Sequence, residues 1–434
     1  MKTKIPWIIL IVVICMLSRV TAQAGAPVID WTVKYEVPTD DYGKGTTIVV
    51  DGTGNVFVTG VSHDISQWYG PDLVTIKYDT DGNQVWAQRL GPSSHDWPYS
   101  YGGIALDALG NVDIVASIPH VTNCNPPMGT IRYHSTGVRL LATSIWGDTC
   151  ECHLISFAFD NLGNPYIGYD CYYDYEYPKA GIMKLGVWVK RDENAPPFFE
   201  AMTLDSSDSN LYLAGGRSHG VTGDHPPYDY RIVKIAADGT TKWTRHQDGA
   251  WNDDDWANAI AVDGSDNVYI AGLSKNGNKY NYGTLKYDAD GNHKWTRYYI
   301  GRSRLVGSRT KTDNIARAIA VDGQGNVYVT GESKWSDVSI DKHYIDSATI
   351  KYDTNGIRQW VRRHHGGSGK IVRVDGFGNV YVLSGTCIIK YDSAGRLQWT
   401  YQSNTAWRDM VVDKARHVYV TGADNKKFTT MKMH

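Results

Sequence analysis

The sequence predicts an all-β fold: a single β-propeller of eight four-stranded antiparallel blades. Three observations carry this reading: a repeated sequence unit, a period-two apolar pattern inside each unit, and a tryptophan near the end of most units. The unit is most legible at residues 318–331 (AIAVDGQGNVYVTG) followed by 348–360 (ATIKYDTNGIRQW), with further copies beginning near Ile48, Ile104, Ile155, Phe199, Ile260, Ile371 and Met410. Self-similarity of this kind is the signature of a repeat architecture.

Within one unit the apolar residues fall on alternate positions, as at Ile319 and Val321, Val327 and Val329, and Ile350 and Tyr352. That is the period of half-buried strands. The strands are joined by D-x-x-G sequences, Asp322 to Gly325 and Asp353 to Gly356. An Asp at the first turn position bonds the backbone ahead of it and a Gly accepts positive φ, so these are tight hairpins. One unit is therefore four strands, A to D, with Trp360 on strand D.

A lone four-stranded sheet cannot bury both faces, and stacking such sheets around an axis solves the problem. Trp86, Trp146, Trp188, Trp243, Trp295, Trp360 and Trp399 hold equivalent places and are expected to pack between neighbouring blades. The last unit stops at residues 428–434, a strand C with no strand D after it, while residues 29–37 (IDWTVKYEV, with Trp31) form an orphan strand D. Pairing the two closes the ring and removes exposed sheet edges. Unit three is degenerate: residues 171–178 replace the usual run, and KLGVW stands for KYDxxGxxxW. Seven blades with one irregular insertion is thus the alternative count.

Residues 1–24 form a separate unit. Lys2 and Lys4 precede an apolar run from Ile5 to Leu17, and Ala22-Gln23-Ala24 suits cleavage before Gly25, which is the pattern of a secretory signal peptide. The expected domains are a signal peptide at 1–24 and one propeller at 25–434, exported to a periplasm or beyond. Nothing later is long and apolar enough to span a bilayer, and the C-terminus, committed to ring closure, leaves no anchor. A net charge of -2 offers no electrostatic footprint for nucleic acid or an anionic membrane. A monomer is expected.

Cys124, Cys150, Cys152 and Cys171 cluster in units two and three. In an oxidising compartment they read as two disulfides of open connectivity, with a zinc site built on Cys150 to His153 as the rival. Cys387 stands alone in a strand C, in the place of Thr349 or Thr284, as a buried inert thiol.

Chain direction puts the short A–B and C–D turns on one face of the disc and the variable B–C and D–A connections on the other. Binding residues concentrate on loops held by a rigid scaffold, so the second face is the candidate. Its B–C segments include residues 63–72 (HDISQWYGPD), 170–177, 223–230, 279–282 and 334–344, and its D–A segments 95–101 (HDWPYSY) and 251–256 (WNDDDW). With 29 Tyr and 15 Trp against 7 Phe, the chain favours aromatics that carry a polar tip, which suit half-wet surfaces. The expected ligand residues are Trp68, Tyr69, Trp97, Tyr99, Tyr228, Asp254, Asp255, Trp256, Tyr280, Trp335 and Tyr344. A glycan or protein partner fits them; packing of blade against blade is the competing reading.

Carboxylates recur just before strand A. Asp41, Asp96, Asp254 and Asp313 are the calcium candidates, against a plain role in capping turns; no other cofactor is expected. Residues 79–83 (DTDGN) and 288–292 (DADGN) imitate the start of a calcium loop but fall at C–D hairpins and lack its closing Glu. Residues 216–220 (GRSHG) match the letters of a nucleophile elbow without its strand-to-helix turn. No H-E-x-x-H and no phosphate-cradling loop is present. A polysaccharide hydrolase or lyase on the same face, with His63, His95, His225 and His343 interleaved among Asp, is the alternative function, and a purely structural envelope component is the second.

The units at Ile260 and Ile319, running IAVDxxGNVYVTG and then KYDxxG, resemble the bacterial SBBP beta-propeller repeat family. The resemblance extends over residues 25–434 except unit three and the loop inserts. It implies an exported propeller, often joined to surface-sorting modules that this chain lacks; the family implies seven blades against the eight counted here. The YDxxGxxxW element is also similar to the tryptophan docking motif of quinoprotein dehydrogenases, whose adjacent-cysteine pair is not recognisable here.

Overall fold

The computed structural model describes residues 25–35, 42–63, 72–90, 102–117, 128–144, 151–173, 176–191, 198–218, 228–301, 313–337 and 342–434. Its strands form eight four-stranded antiparallel sheets. In the order A to D, blade 1 is Tyr42–Val50, Val56–His63, Asp72–Tyr78 and Gln84–Leu90, and blade 2 is Gly103–Leu106, Val112–Ser117, Met128–Tyr133 and Arg139–Ser144. Blade 3 is Glu151–Phe159, Pro165–Tyr173, Glu176–Lys184 and Trp188–Arg191, and blade 4 is Phe198–Leu204, Asn210–Ser218, Tyr228–Ala236 and Thr241–Gln247. Blade 5 is Asp255–Val262, Val268–Asn276, Lys279–Tyr287 and His293–Tyr299; blade 6 is Asn314–Val321, Val327–Asp337, Lys342–Tyr352 and Arg358–His365. Blade 7 is Gly369–Val374, Val380–Ser384, Cys387–Tyr391 and Leu397–Gln402. Blade 8 takes Ala406–Val412, Val418–Asp424 and Lys427–Met433 from the end of the chain and Ile29–Tyr35 from its start.

Ring closure is the expected one, with Tyr35 opposite Phe428 and Thr32 opposite Met431. The degenerate unit keeps four strands, so the count is eight rather than the seven that the family resemblance implied. The expected signal peptide lies outside the described residues, and among those described no helix is long and apolar enough to cross a membrane.

Side chains explain the stacking. On strand D, the indole N–H of Trp86, Trp188, Trp243, Trp295 and Trp360 donates to a carbonyl in the C–D turn of the next blade, at Ser135, Ala237, Ala289, Thr354 and Ser393, over 2.9 to 3.2 Å. The ring lies flat against the glycine of that turn: a Cβ on Gly356 would stand 2.7 Å from the Trp295 ring. Two residues on, Arg245, Arg297 and Arg362 lie over their own Trp and donate to the same turn. Between blades the core is Val, Ile and Tyr; one cluster joins Tyr269 and Trp295 of blade 5 to Val327, Ile350 and Tyr352 of blade 6. Burying each such side chain stabilises by about 1.5–3 kcal/mol.

The turns use the chemistry expected of D-x-x-G. Asp322 Oδ1 accepts from the backbone N–H of Gln324 and of Asn326, its Oδ2 accepts from Asn326 Nδ2, and the Tyr328 hydroxyl donates to Oδ2. Asp79 and Asp288 are used the same way, so the calcium-loop look-alikes are hairpins.

Two details correct the sequence reading. Residues 279–282 and much of 334–344 are strand rather than loop, because strands B and C of blades 5 and 6 run on to Asn276, Lys279, Asp337 and Lys342. Lys351 and Lys390 both face a strand-D Trp, so Cys387 matches Ala348, and Ile388 takes the place of Thr349. Cys387 is buried, and burial pushes its thiol up to about 11.

Candidate functional site

Strand direction puts the ends of strands B and D and the starts of strands A and C on one face of the disc. The expected ligand residues that are described lie at these ends. Trp68, Tyr69, Trp97 and Tyr99, with Asp41 and Asp96, lie outside the described residues.

On blade 6 the extended B–C hairpin brings Trp335 directly opposite Tyr344. The two rings are stacked, 4.3 Å between centroids and 19° between planes. Offset stacking is a favoured aromatic geometry. The Trp335 indole N–H donates 2.9 Å to Asp346 Oδ2, and His365 Nδ1 lies 2.9 Å from Asp346 Oδ1. Asp346 is 8% exposed whereas the His365 side chain is 68% exposed. One buried carboxylate thus holds both an aromatic platform and an exposed imidazole, whose ring centroid is 5.5 Å from that of Tyr344.

The second group spans blades 4 and 5. Tyr228 and Trp256 meet edge to face at 5.1 Å, and Trp251 and Tyr298 lie tilted at 4.9 Å. Trp256 also covers Gly216 of blade 4, where a Cβ would stand 2.4 Å from its ring, so this indole is a wedge between blades. Here the packing reading accounts for much of its surface. Asp254 accepts from the backbone N–H of Tyr228 and from Lys275, which also binds Asp253. Asp255 is 1% exposed; burial, with Asp248 and Asp229 adding their negative charge, pushes its carboxyl up to about 7.

Tyr280 and Asp313 lie between the two groups. The Tyr280 carbonyl accepts from Asn314 Nδ2, and the Asp313 carbonyl from the Lys334 N–H. Of the cysteines, Cys124 and Cys150 are outside the described residues, and the register of blade 3 sets the backbone of Cys152 opposite that of Cys171.

Sequence reasoning missed Asp346 and His365. Asp346 comes two residues after Tyr344, but its role depends on the Trp335 register; His365 ends strand D, where the repeat pattern gives no special signal. A third feature belongs to the opposite face. A cleft of about 630 Å³ lined by Trp31, Thr80, Lys390, Arg416, His417 and His434 opens at the closure seam. It occupies the place of a C–D turn that blade 8, divided between the two ends of the chain, does not have. Ring closure explains it without a ligand.

Residues 243–278 and 294–334 match the model of the SBBP beta-propeller repeat. No curated protein matches the chain in sequence. Among solved structures, one described as the Dos1 propeller is 8% identical, is covered over 94% of each chain and superposes with a TM-score of 0.54. At that identity the likeness shows the fold alone.

Proposed function

We propose that this chain, an eight-bladed propeller carrying SBBP repeats, is an exported binding protein that takes a glycan on the face of its B–C and D–A connections. The observation that carries the reading is the Trp335–Tyr344 stack anchored on Asp346. A sugar presents an apolar C–H face beside a rim of hydroxyls. An aromatic ring fixed by a hydrogen bond, with an exposed imidazole at its edge, offers the matching apolar and polar surfaces. Trp251 and Tyr298 extend the aromatic surface to blade 5, which suits a chain of several sugars rather than one.

The test is calorimetry of the protein against a panel of polysaccharide fragments. Binding by one glycan class that is lost in Trp335→Ala with the fold intact supports the reading. Silence across the panel, with capture of a defined protein partner by the same face, replaces it with a protein-binding role; silence towards both leaves the structural envelope role.

One observation favours a catalytic reading as second choice. His365 is held by Asp346 and exposed, the two features a general base at this face would need. Release of shortened products from a polysaccharide, abolished by His365→Ala, would establish a hydrolase or lyase; binding without any product counts against it.

A further inference from the structure

We propose that Asp229, Asp248 and Asp255, with the Ser274 hydroxyl, form a calcium site that ties blade 4 to blade 5. Asp229 lies on strand C of blade 4, Asp248 directly follows its strand D, and Asp255 is the first residue of strand A of blade 5. Their carboxylates nevertheless converge, with one oxygen from each within 4.8 Å of the others. Two ligands on opposite sides of a calcium ion at about 2.4 Å are about 4.8 Å apart, so all three oxygens fit one coordination sphere. Magnesium, at about 2.0–2.1 Å, would need a tighter set.

Acidic residues gather on many surfaces without an ion, and burial distinguishes this group. Asp255 is 1% exposed and Ser274 fully buried. Asp255 Oδ2 accepts from the Gly249 N–H; the Ser274 hydroxyl lies beside the Asp255 carboxylate, yet neither Asp255 Oδ1 nor Ser274 Oγ makes a hydrogen bond of normal geometry. Both oxygens face the same space: a Cβ built on Gly249 would stand 2.3 Å from Asp255 Oδ1 and 2.6 Å from Ser274 Oγ. Asp248 Oδ1 is likewise buried without a partner, while Asp229 keeps an interaction of its own. Buried oxygens left unmatched are costly, the more so when charged. The nearby Lys275 is committed to Asp253 and Asp254. An all-oxygen donor set with three carboxylates favours a hard cation over zinc.

The site lies at the ends of the 248–255 connection, which carries Trp251. Filling it would hold that connection, and the aromatic group beside it, in place. The ion does not depend on the glycan reading: it is tested with calcium alone.

The experiment is a calcium titration of the chelator-treated propeller, followed by melting temperature and by terbium luminescence excited through tryptophan. One saturable ion is expected, with magnesium at least tenfold weaker. Asp248→Ala, at the least buried ligand, should weaken calcium at least tenfold while the apo protein melts where the wild type does. Ser274→Ala is the second variant and should weaken it less. No response of the wild type to millimolar calcium overturns the proposal. Unchanged calcium affinity in folded Asp248→Ala overturns it equally.

Discussion

Trp31 donates its indole N–H to the carbonyl of Thr80 at 3.0 Å, and its ring lies against Gly82. Trp31 sits on a strand paired with the last one in the chain, whereas Thr80 belongs to the turn of the first complete blade. The docking that joins five pairs of successive blades is thereby used once more to join the two ends of the chain. The same ring contacts Tyr78 of blade 1 and Tyr419 of blade 8.

Trp31→Ala should therefore destabilise more than a surface substitution does. It removes a half-buried aromatic, two ring contacts and one hydrogen bond, worth together about 2–3 kcal/mol. For a ring of this size that lowers the melting temperature by several degrees. Removing residues 25–35 altogether should cost more and promote association, because strand C of blade 8 becomes an open edge. Thermal melts and light scattering check both; an unchanged melt for Trp31→Ala would mean that backbone pairing alone closes the ring.

Gly356→Ala tests the docking surface itself. Gly356 has φ of +75°, and an added Cβ would stand 2.7 Å from the Trp295 ring. Backbone strain and the lost ring contact should add to about 2–4 kcal/mol. Gly323→Ala, where a Cβ meets nothing within 4 Å, is the control and should stay within about 0.5 kcal/mol. Equal losses at the two positions would refute the docking account.

These positions also explain what could be read from the sequence. Gly356, Asp353 and Trp360 recur because hairpin and docking geometry recur along the ring, so strands, turns and the closing strand follow from the repeat. The Trp335–Tyr344 stack is different. It depends on strands B and C of one blade running past the repeat pattern into residues that looked like loop. Asp229, Asp248 and Asp255 come from three separate segments, and no spacing rule joins them. Of the four calcium candidates chosen from local sequence, Asp254 is bound to Lys275.

The turn aspartates make acid stability predictable in sign. Burial alone would raise Asp51, but hydrogen bonds from Asn55 and Thr53 outweigh it and hold the carboxyl below its ordinary value near 3.8. Asp263, with burial opposed by Asn267 and Tyr269, and Asp413, with burial opposed by His417 and Tyr419, are lowered in the same way. A depressed folded value means that the unfolded chain binds protons first. The stability these groups supply is present above about pH 4 and is lost as the pH falls through the folded values. Asp113 acts in the opposite sense: burial outweighs its Arg132 partner and pushes it up to about 6, so its contribution is full below about pH 4 and lost as the pH rises through 6. Melting temperature against pH should pass through a maximum and fall steeply on the acid side. In Asp263→Asn the acid limb should be shallower; an identical limb would mean that these turns do not control acid unfolding.

Binding and packing aromatics should separate by mutation. Trp295 is 6% exposed and its hydrogen bond is to the next blade, so Trp295→Ala should lower the melting temperature and leave glycan affinity unchanged in the protein that remains folded. Trp335 is only half-buried, and its hydrogen bond is to Asp346 on its own blade. Trp335→Ala should cost little stability and about five- to a hundredfold in affinity, taking a sugar on the ring to be worth about as much as a stacked base, on the order of 1–3 kcal/mol. Trp335→Phe keeps a ring opposite Tyr344 but cannot donate to Asp346, so it should recover part of the affinity. His365→Ala adds a control for the polar rim and should weaken binding less than Trp335→Ala does. Calorimetry and melts on the same four proteins decide the matter: if affinity follows melting temperature across all of them, the Trp335 platform is packing and not a binding surface.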